Sequence, residues 1–67
     1  MHSNIVEQKR KELGLTQEEM AERLNVSRQH YNAVENFKKP PSVELAKNLG
    51  SYLNIDWTIF FIDKVNE

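Results

Sequence analysis

The 67 residues predict an all-α fold class, a single domain built from five short helices. Apolar residues recur at helical spacing along most of the chain. Asn, Thr, Ser or Asp stands before each of these stretches, and these residues cap helix N-termini. Glycine and proline are scarce, with two of each, so they serve mainly to end helices.

The first two helices are predicted at about residues 5–13 and 17–24. Asn4 can cap the first helix, with Glu7 as its capping-box partner, and Gly14 follows its end. Thr16 and Glu19 form a second capping box. The expected apolar sides are Ile5, Val6 and Leu13 in the first helix and Met20, Ala21 and Leu24 in the second.

The third helix is predicted at residues 28–35, with Ser27 as its cap. Asn25 and Val26 interrupt the helical pattern before it, and Asn tolerates the positive φ of a tight turn. Tyr31 and Val34 lie three residues apart and are expected to point inward.

The fourth helix is predicted from a cap at Ser42 to about Leu53, followed by a break at Asn54 and Ile55. Gly50 lies within this helix, at a cost of roughly 1 kcal/mol relative to Ala, so we expect another helix to pass close to it. The expected apolar stripe consists of Val43, Leu45, Ala46, Leu49, Gly50, Tyr52 and Leu53. Asp56 can cap a fifth helix at residues 57–61, and residues 62–67 form a C-terminal tail.

Residues 17–34 have the features of a helix-turn-helix. The small Ala21 allows a close crossing, Asn25 makes the turn, and two apolar residues anchor the second helix. This arrangement leaves an outer face of Arg28, Gln29, Asn32 and Ala33. Arg can donate two hydrogen bonds to guanine, and Gln and Asn can each form two with adenine. Ala can contact the methyl group of thymine. Ser27 at the helix N-terminus, Lys38 and Lys39 suit phosphates.

Composition argues against most other functions. No cysteine is present, and His2 and His30 are far apart, so we expect no metal site, cofactor or enzymatic activity. The longest apolar run, at residues 59–62, is too short for a membrane span. The net charge is −1, but residues 27–41 hold Arg28, Lys38 and Lys39 against one acid. This segment is the cationic part of the chain.

The sequence resembles the Cro/cI-type (Xre-like) repressors of phages and bacteria. The resemblance rests on LGLTQEEMAERLNVSRQ (residues 13–29), VEN (34–36), PSVELA (41–46) and LNIDW (53–57). It implies a compact five-helix, lambda-repressor-like DNA-binding domain spanning residues 1–67, whose second and third helices form the helix-turn-helix. It also implies a transcriptional regulator in the cytoplasm of a bacterial or phage-infected cell, associated with the nucleoid.

The resemblance assigns roles to particular residues. Arg28 and Gln29 match the main base-reading pair, and Asn32 and Ala33 match a second exposed pair. The residues implied in phosphate binding are Gln17, Ser27, Asn36, Lys38 and Lys39, with His30 as a surface residue or an auxiliary contact. Arg10 and Glu35 match an ion pair that ties the first helix to the end of the third.

Four positions depart from the family pattern. Asn25 replaces the common turn glycine, and Gly50 takes a position usually held by alanine. Phe37 stands where members often have glycine after Glu-Asn, which affects the loop that is expected to bind phosphate. Tyr31 stands where a branched aliphatic residue usually packs, so we expect its hydroxyl to reach the surface or a partner.

The C-terminal segment predicts a homodimer. It carries Trp57, Phe60, Phe61 and Ile62, more apolar bulk than one short helix can bury alone. Some of these residues should pack under the first and fourth helices, and the remainder should form an exposed patch, which usually marks an interface. A two-fold dimer would place the recognition helices roughly 34 Å apart on a double-stranded operator. Two other hypotheses remain open: an antitoxin that binds a toxin protein, and an interaction module that has lost DNA binding. An antirepressor is a further candidate partner.

Overall fold

The computed structural model describes residues 4–62 and divides them into five helices. They are α1 (Ile5–Glu12), α2 (Gln17–Leu24), α3 (Arg28–Glu35), α4 (Val43–Leu53) and α5 (Ile59–Ile62). No strand occurs among the described residues. The predicted all-α class is therefore confirmed, while residues 1–3 and 63–67 lie outside the description.

Side-chain caps fix where the first four helices begin. The oxygens of Asn4, Thr16, Ser27 and Ser42 each accept a hydrogen bond from a backbone N–H of the first turn. Only the second cap is a reciprocal box: Glu19 N donates to Thr16 Oγ1 at 3.1 Å and Thr16 N donates to Glu19 Oε1 at 2.9 Å. The Glu7 carboxylate, predicted as a box partner of Asn4, pairs with Lys11 Nζ at 3.1 Å.

Left-handed residues separate the helices. Asn25 and Asn54 end α2 and α4 with φ of 61° and 58°, and Gly14 follows α1 with φ of 74°. Asn has one of the few side chains that adopts this conformation readily. The predicted roles of Gly14 and Asn25 agree with this geometry.

The core fills the space between α1, α2, α3 and α4, and α5 contributes one side chain. Tyr31 and Val34 are 1% and 0% exposed, so the third helix is anchored as predicted. The buried apolar residues are Val6, Met20, Ala21, Leu24, Tyr31, Val34, Leu45, Ala46, Leu49, Leu53 and Phe60.

Four residues expected on the apolar stripes are exposed instead: Ile5, Leu13, Val43 and Tyr52. Ile5 and Val43 are the first residues of their helices, and Leu13 follows the last residue of α1. These three residues therefore lie at helix ends, whereas Tyr52 lies in the last turn of α4. Helical spacing identifies the apolar side of a helix, but it does not show how much of the length of that side a neighbouring element covers.

The segment before α5 corrects two further expectations. Asp56 Oδ1 accepts a hydrogen bond from Thr58 N at 3.0 Å, which makes a turn, and α5 begins only at Ile59 rather than at Trp57. Gly50 is approached by this turn rather than by a helix. A Cβ at Gly50 would lie 2.9 Å from both Ile55 O and Trp57 Cβ.

Candidate nucleic-acid interface

The α2–turn–α3 unit brings two helices into close contact. Ala21 of α2 is only 2% exposed, and Val26 N donates to Ala21 O at 3.0 Å. The turn spans only residues 25–27, since Ser27 already caps α3. The unit therefore has the short connection and the small buried residue in its first helix that a helix-turn-helix requires.

The outer face of α3 is open to solvent. Arg28, Gln29 and Asn32 are exposed, and Ala33 is half-buried. Together with Gln17 of α2, the first three line an open hollow of about 320 Å³. None of the three is covered by another part of the described chain, so their polar groups are accessible to a ligand.

A buried ion pair lies behind this face. Arg10 Nε donates to Glu35 Oε1 at 2.8 Å and Arg10 Nη2 donates to Glu35 Oε2 at 3.2 Å. Arg10 Nη1 also donates to Leu15 O at 2.7 Å. The two residues are 7% and 1% exposed. The contact joins α1 to the end of α3.

Hydrogen bonding decides the ionisation of this pair. Burial alone would raise the pKa of Glu35, but hydrogen bonds and charge from Arg10, together with interactions with Tyr31 and Gln17, lower it below its usual range. The hydrogen bond to Glu35 raises the pKa of Arg10. Both groups are therefore charged at neutral pH.

Tyr31 corrects a further expectation. Its hydroxyl was expected at the surface or on a partner, but it is buried, and no hydrogen bond of standard geometry joins it to another described residue. It lies close enough to Glu35 and Arg10 to interact with both. Burial, followed by the nearby Glu35 carboxylate, raises the pKa of Tyr31. The phenol therefore stays neutral beside the ion pair.

The residues expected to bind phosphate are not all on one surface. Ser27, Asn36, Lys38 and Lys39 are exposed, and Ser27 Oγ accepts from His30 N at 3.0 Å, which leaves its hydroxyl hydrogen to donate. Asn36 Nδ2 donates to Asn32 O at 3.0 Å, which leaves one N–H. His30 is half-exposed and lines a separate open groove with Asn25, Ser42 and Asn48.

Phe37 adopts the conformation that a glycine would take at this position, with φ of 60°. A left-handed aromatic residue is strained, and its ring stacks on Phe60 with centroids 5.5 Å apart and planes at 23°. The backbone N–H groups of Lys38 and Lys39 then both donate to Ala33 O, at 2.9 and 3.3 Å. The two hydrogen bonds hold the cationic loop against the end of α3, and the stacking contact ties the same loop to α5.

The C-terminal aromatic residues separate into two groups. Phe60 is 4% exposed and belongs to the core. This corrects its assignment to a dimer surface, because its own domain already covers it. Trp57 and Phe61 are half-buried and meet edge to face at 6.1 Å, with Lys47 Nζ 5.3 Å from the Trp57 ring. The side chain of Ile62 lies outside the description.

Sequence reasoning missed one element of this surface. Gln17 is expected to contact phosphate, yet both polar atoms of its side chain have partners within the protein. Its Nε2 donates to Glu35 Oε2 at 3.1 Å, and its Oε1 accepts from Asn32 Nδ2 at 3.1 Å. Asn32 and Glu35 lie one turn apart on α3, but Gln17 is 15 and 18 residues away from them, and no spacing rule predicts that it meets both.

Other kinds of site are not evident in the described part of the chain. No group of three His, Asp or Glu side chains in residues 4–62 is placed to hold a metal ion. Within the same range, every helix is too short or too polar to cross a bilayer. The exposed face of α3 is therefore the leading candidate site.

The fold and this exposed face define a helix-turn-helix protein, and comparison with known proteins agrees. A family model described as "Helix-turn-helix" matches residues 6–60. The chain is 47% identical over 58 residues to an uncharacterized HTH-type transcriptional regulator, YqaF, of Bacillus subtilis (strain 168), covering 87% of this chain and 76% of that protein. It is 42% identical over 62 residues to an uncharacterized HTH-type transcriptional regulator of Methanothermobacter thermautotrophicus, covering 90% of each chain.

No solved structure matches the chain. The family match nevertheless covers most of its length, and the chain belongs to the Cro/cI-type (Xre-like) helix-turn-helix family, a class of DNA-binding transcription regulators. The resemblance noted in the sequence is thereby confirmed.

Proposed function

We propose that this protein is a transcriptional repressor that binds a specific double-stranded DNA operator with α3 in the major groove. The exposed face of Arg28, Gln29 and Asn32 carries the proposal. These side chains offer the hydrogen-bond donors and acceptors that distinguish base pairs in that groove. The small, half-buried Ala33 fits beside a thymine methyl group.

The phosphate contacts in this proposal come from both ends of α3. Ser27 lies at the N-terminus of the helix, where free N–H groups favour an anion. Lys38 and Lys39 lie in the loop that their backbone hydrogen bonds to Ala33 hold against the C-terminal end of α3. Contacts at both ends of the exposed face of α3 would fix the position of this helix along the duplex.

The active form in this proposal is a homodimer on a two-fold operator. Trp57 and Phe61 are apolar and only half-buried in one chain, and Tyr52 of α4 is 45% exposed. Covering such side chains with a second copy removes apolar surface from water. Sedimentation equilibrium of the wild type and of Trp57→Ala tests the homodimer. We expect a dimer for the wild type and a monomer for Trp57→Ala. A monomeric wild type would contradict the proposed dimer.

Selection from a pool of random duplexes tests the function itself. We expect a two-fold operator with half-sites about one helical turn apart. Arg28→Ala or Gln29→Ala should then cost about 1–3 kcal/mol, confined to particular base pairs, in gel-shift titrations of single-base operator variants.

Arg23→Ala is the matched control, because it removes the same charge from an exposed position on α2. It should leave the pattern of base preferences unchanged. Failure of the wild type to bind any selected duplex above background at low salt would refute the proposal. Co-purification of a toxin-like protein instead would favour the antitoxin hypothesis.

A further inference from the structure

Gln17 connects the buried ion pair to the outer face of α3. On its inner side, Gln17 Nε2 donates to Glu35 Oε2 at 3.1 Å. On its outer side, Gln17 Oε1 accepts from Asn32 Nδ2 at 3.1 Å. Gln17 is half-buried, whereas Asn32 is exposed at the surface hollow. A continuous chain of hydrogen bonds therefore runs from the core to a candidate base-reading residue.

The Glu35 carboxylate determines which group donates and which accepts in each of these hydrogen bonds. The carboxylate is ionised by its pairing with Arg10 and can only accept hydrogen bonds. Gln17 must therefore turn its NH₂ group inward, which turns its carbonyl oxygen towards Asn32. Asn32 must then turn its own NH₂ group towards Gln17. Reversing the Gln17 amide would place Gln17 Oε1 against the Glu35 carboxylate. Reversing the Asn32 amide would place Asn32 Oδ1 against Gln17 Oε1, and two acceptors cannot form a hydrogen bond.

The orientation of Asn32 determines what this residue presents to a ligand. One N–H is engaged by Gln17, so Oδ1 and the second N–H remain. An acceptor beside a donor complements the N6 amino group and N7 of adenine in the major groove. Guanine presents two acceptors there, O6 and N7, so its O6 would face Asn32 Oδ1 with no hydrogen between the two oxygens.

We propose that Gln17 is a positioning residue for base readout, which holds the Asn32 amide in the orientation that selects adenine over guanine. This inference rests on the proposed function. It differs from the expectation that Gln17 merely contacts a phosphate, because a phosphate contact carries no sequence information. The two roles therefore predict different effects of the same substitution.

The test compares base preferences of the wild type, Gln17→Met and Asn32→Ala on duplexes randomised at each operator position. Met has a similar length but cannot form either hydrogen bond. Asn32→Ala identifies the base pair that Asn32 reads, and we expect the wild type to select adenine there. Gln17→Met should reduce the preference for adenine over guanine at that pair by at least about 5-fold. Preferences at the other pairs should remain.

A double-mutant cycle supplies the control. In the Asn32→Ala background, Gln17→Met should have no further effect on preference at that base pair, because the residue it positions is absent. Thermal unfolding of each variant verifies that it is folded at the assay temperature.

Three results would overturn the inference. They are a uniform loss of affinity for all duplexes on Gln17→Met, an unchanged adenine preference, and selection of guanine at the Asn32 pair by the wild type. In each case the proposed function survives, since the wild type still binds an operator. If the wild type binds no duplex at all, the proposed function fails and this inference fails with it.

Discussion

Glu35 shows how much one side chain contributes at the residue scale. It is 1% exposed, and its carboxylate accepts hydrogen bonds from Arg10 and Gln17. Its backbone oxygen accepts one from Asn4 Nδ2 at 2.9 Å. A buried charge with so many partners stabilises the fold only while those partners remain.

The lowered pKa of Glu35 predicts acid sensitivity. Because the pKa is lower in the folded protein than its ordinary value of 4.5, the ion pair contributes stability above about pH 4.5. That stability is lost as the pH falls from there through the lowered value. The thermal midpoint of the wild type should fall steeply over this range. Glu35→Gln should show a flatter pH profile, whereas Asp56→Asn, at an exposed carboxyl, should retain most of the slope.

Removing one member of the ion pair should be worse than removing both. Arg10→Met leaves the Glu35 charge buried and should lower the free energy of unfolding by about 3–5 kcal/mol, measured by urea denaturation. The double variant Arg10→Met/Glu35→Leu should recover most of that loss, because apolar side chains of similar volume carry no desolvation cost. A double variant no more stable than the single one would contradict this account.

At the scale of single elements, helix starts could be predicted because they depend on local chemistry. Thr16, Ser27 and Ser42 each bond to the backbone N–H three residues on, which sequence alone indicates. The start of α5 could not be predicted in this way. Asp56 was expected to cap a helix, but it bonds to Thr58 two residues on and makes a turn.

The turn before α5 explains Gly50 and predicts the effect of changing it. Gly50→Ala should destabilise the protein, because the new methyl group would meet Ile55 O and Trp57 Cβ at 2.9 Å, and overpacking of this kind costs about 1–3 kcal/mol. A gain of about 1 kcal/mol in helix propensity offsets part of that cost and leaves a net loss of up to about 2 kcal/mol. Chemical denaturation measures the difference. Ser51→Ala, at the exposed neighbouring position, should change stability by less than about 0.5 kcal/mol.

At the scale of the whole molecule, the distribution of charge matters more than its sum. The net charge is −1, yet Arg28, Lys38 and Lys39 are exposed on and beside α3. The acid in the same segment, Glu35, is buried against Arg10. The proposed DNA-binding surface is therefore more cationic than the composition of its segment suggests.

This surface predicts a shallow salt dependence of DNA binding. Lys38→Ala should weaken binding to all sequences alike and reduce the slope of log K against log salt concentration by about 1. Lys47→Ala, on α4 beside the Trp57 ring, should leave the slope unchanged. Titrations at several salt concentrations measure both. An equal slope for the wild type and Lys38→Ala would show that Lys38 does not contact a phosphate.

The candidate site could be predicted in outline but not in its internal contacts. Apolar spacing placed Tyr31 and Val34 inside, so the opposite face of α3 had to be outside. The Gln17–Asn32 hydrogen bond and the Phe37–Phe60 stack depend on how separate helices meet. Neither contact has a local signature. The apolar bulk of the C-terminal segment suggested a dimer surface for Phe60, although this residue lies in the core.

The partners of Glu35 have a consequence for how the domain unfolds. Helices of eight residues do not persist alone in water, and here three of them share a single residue as their common junction. Detaching α1 removes the Arg10 guanidinium and detaching α2 removes the Gln17 amide, so either change takes a partner from the buried Glu35 carboxylate. Partial opening is disfavoured by this arrangement, and the domain should lose its structure in one concerted, all-or-none transition.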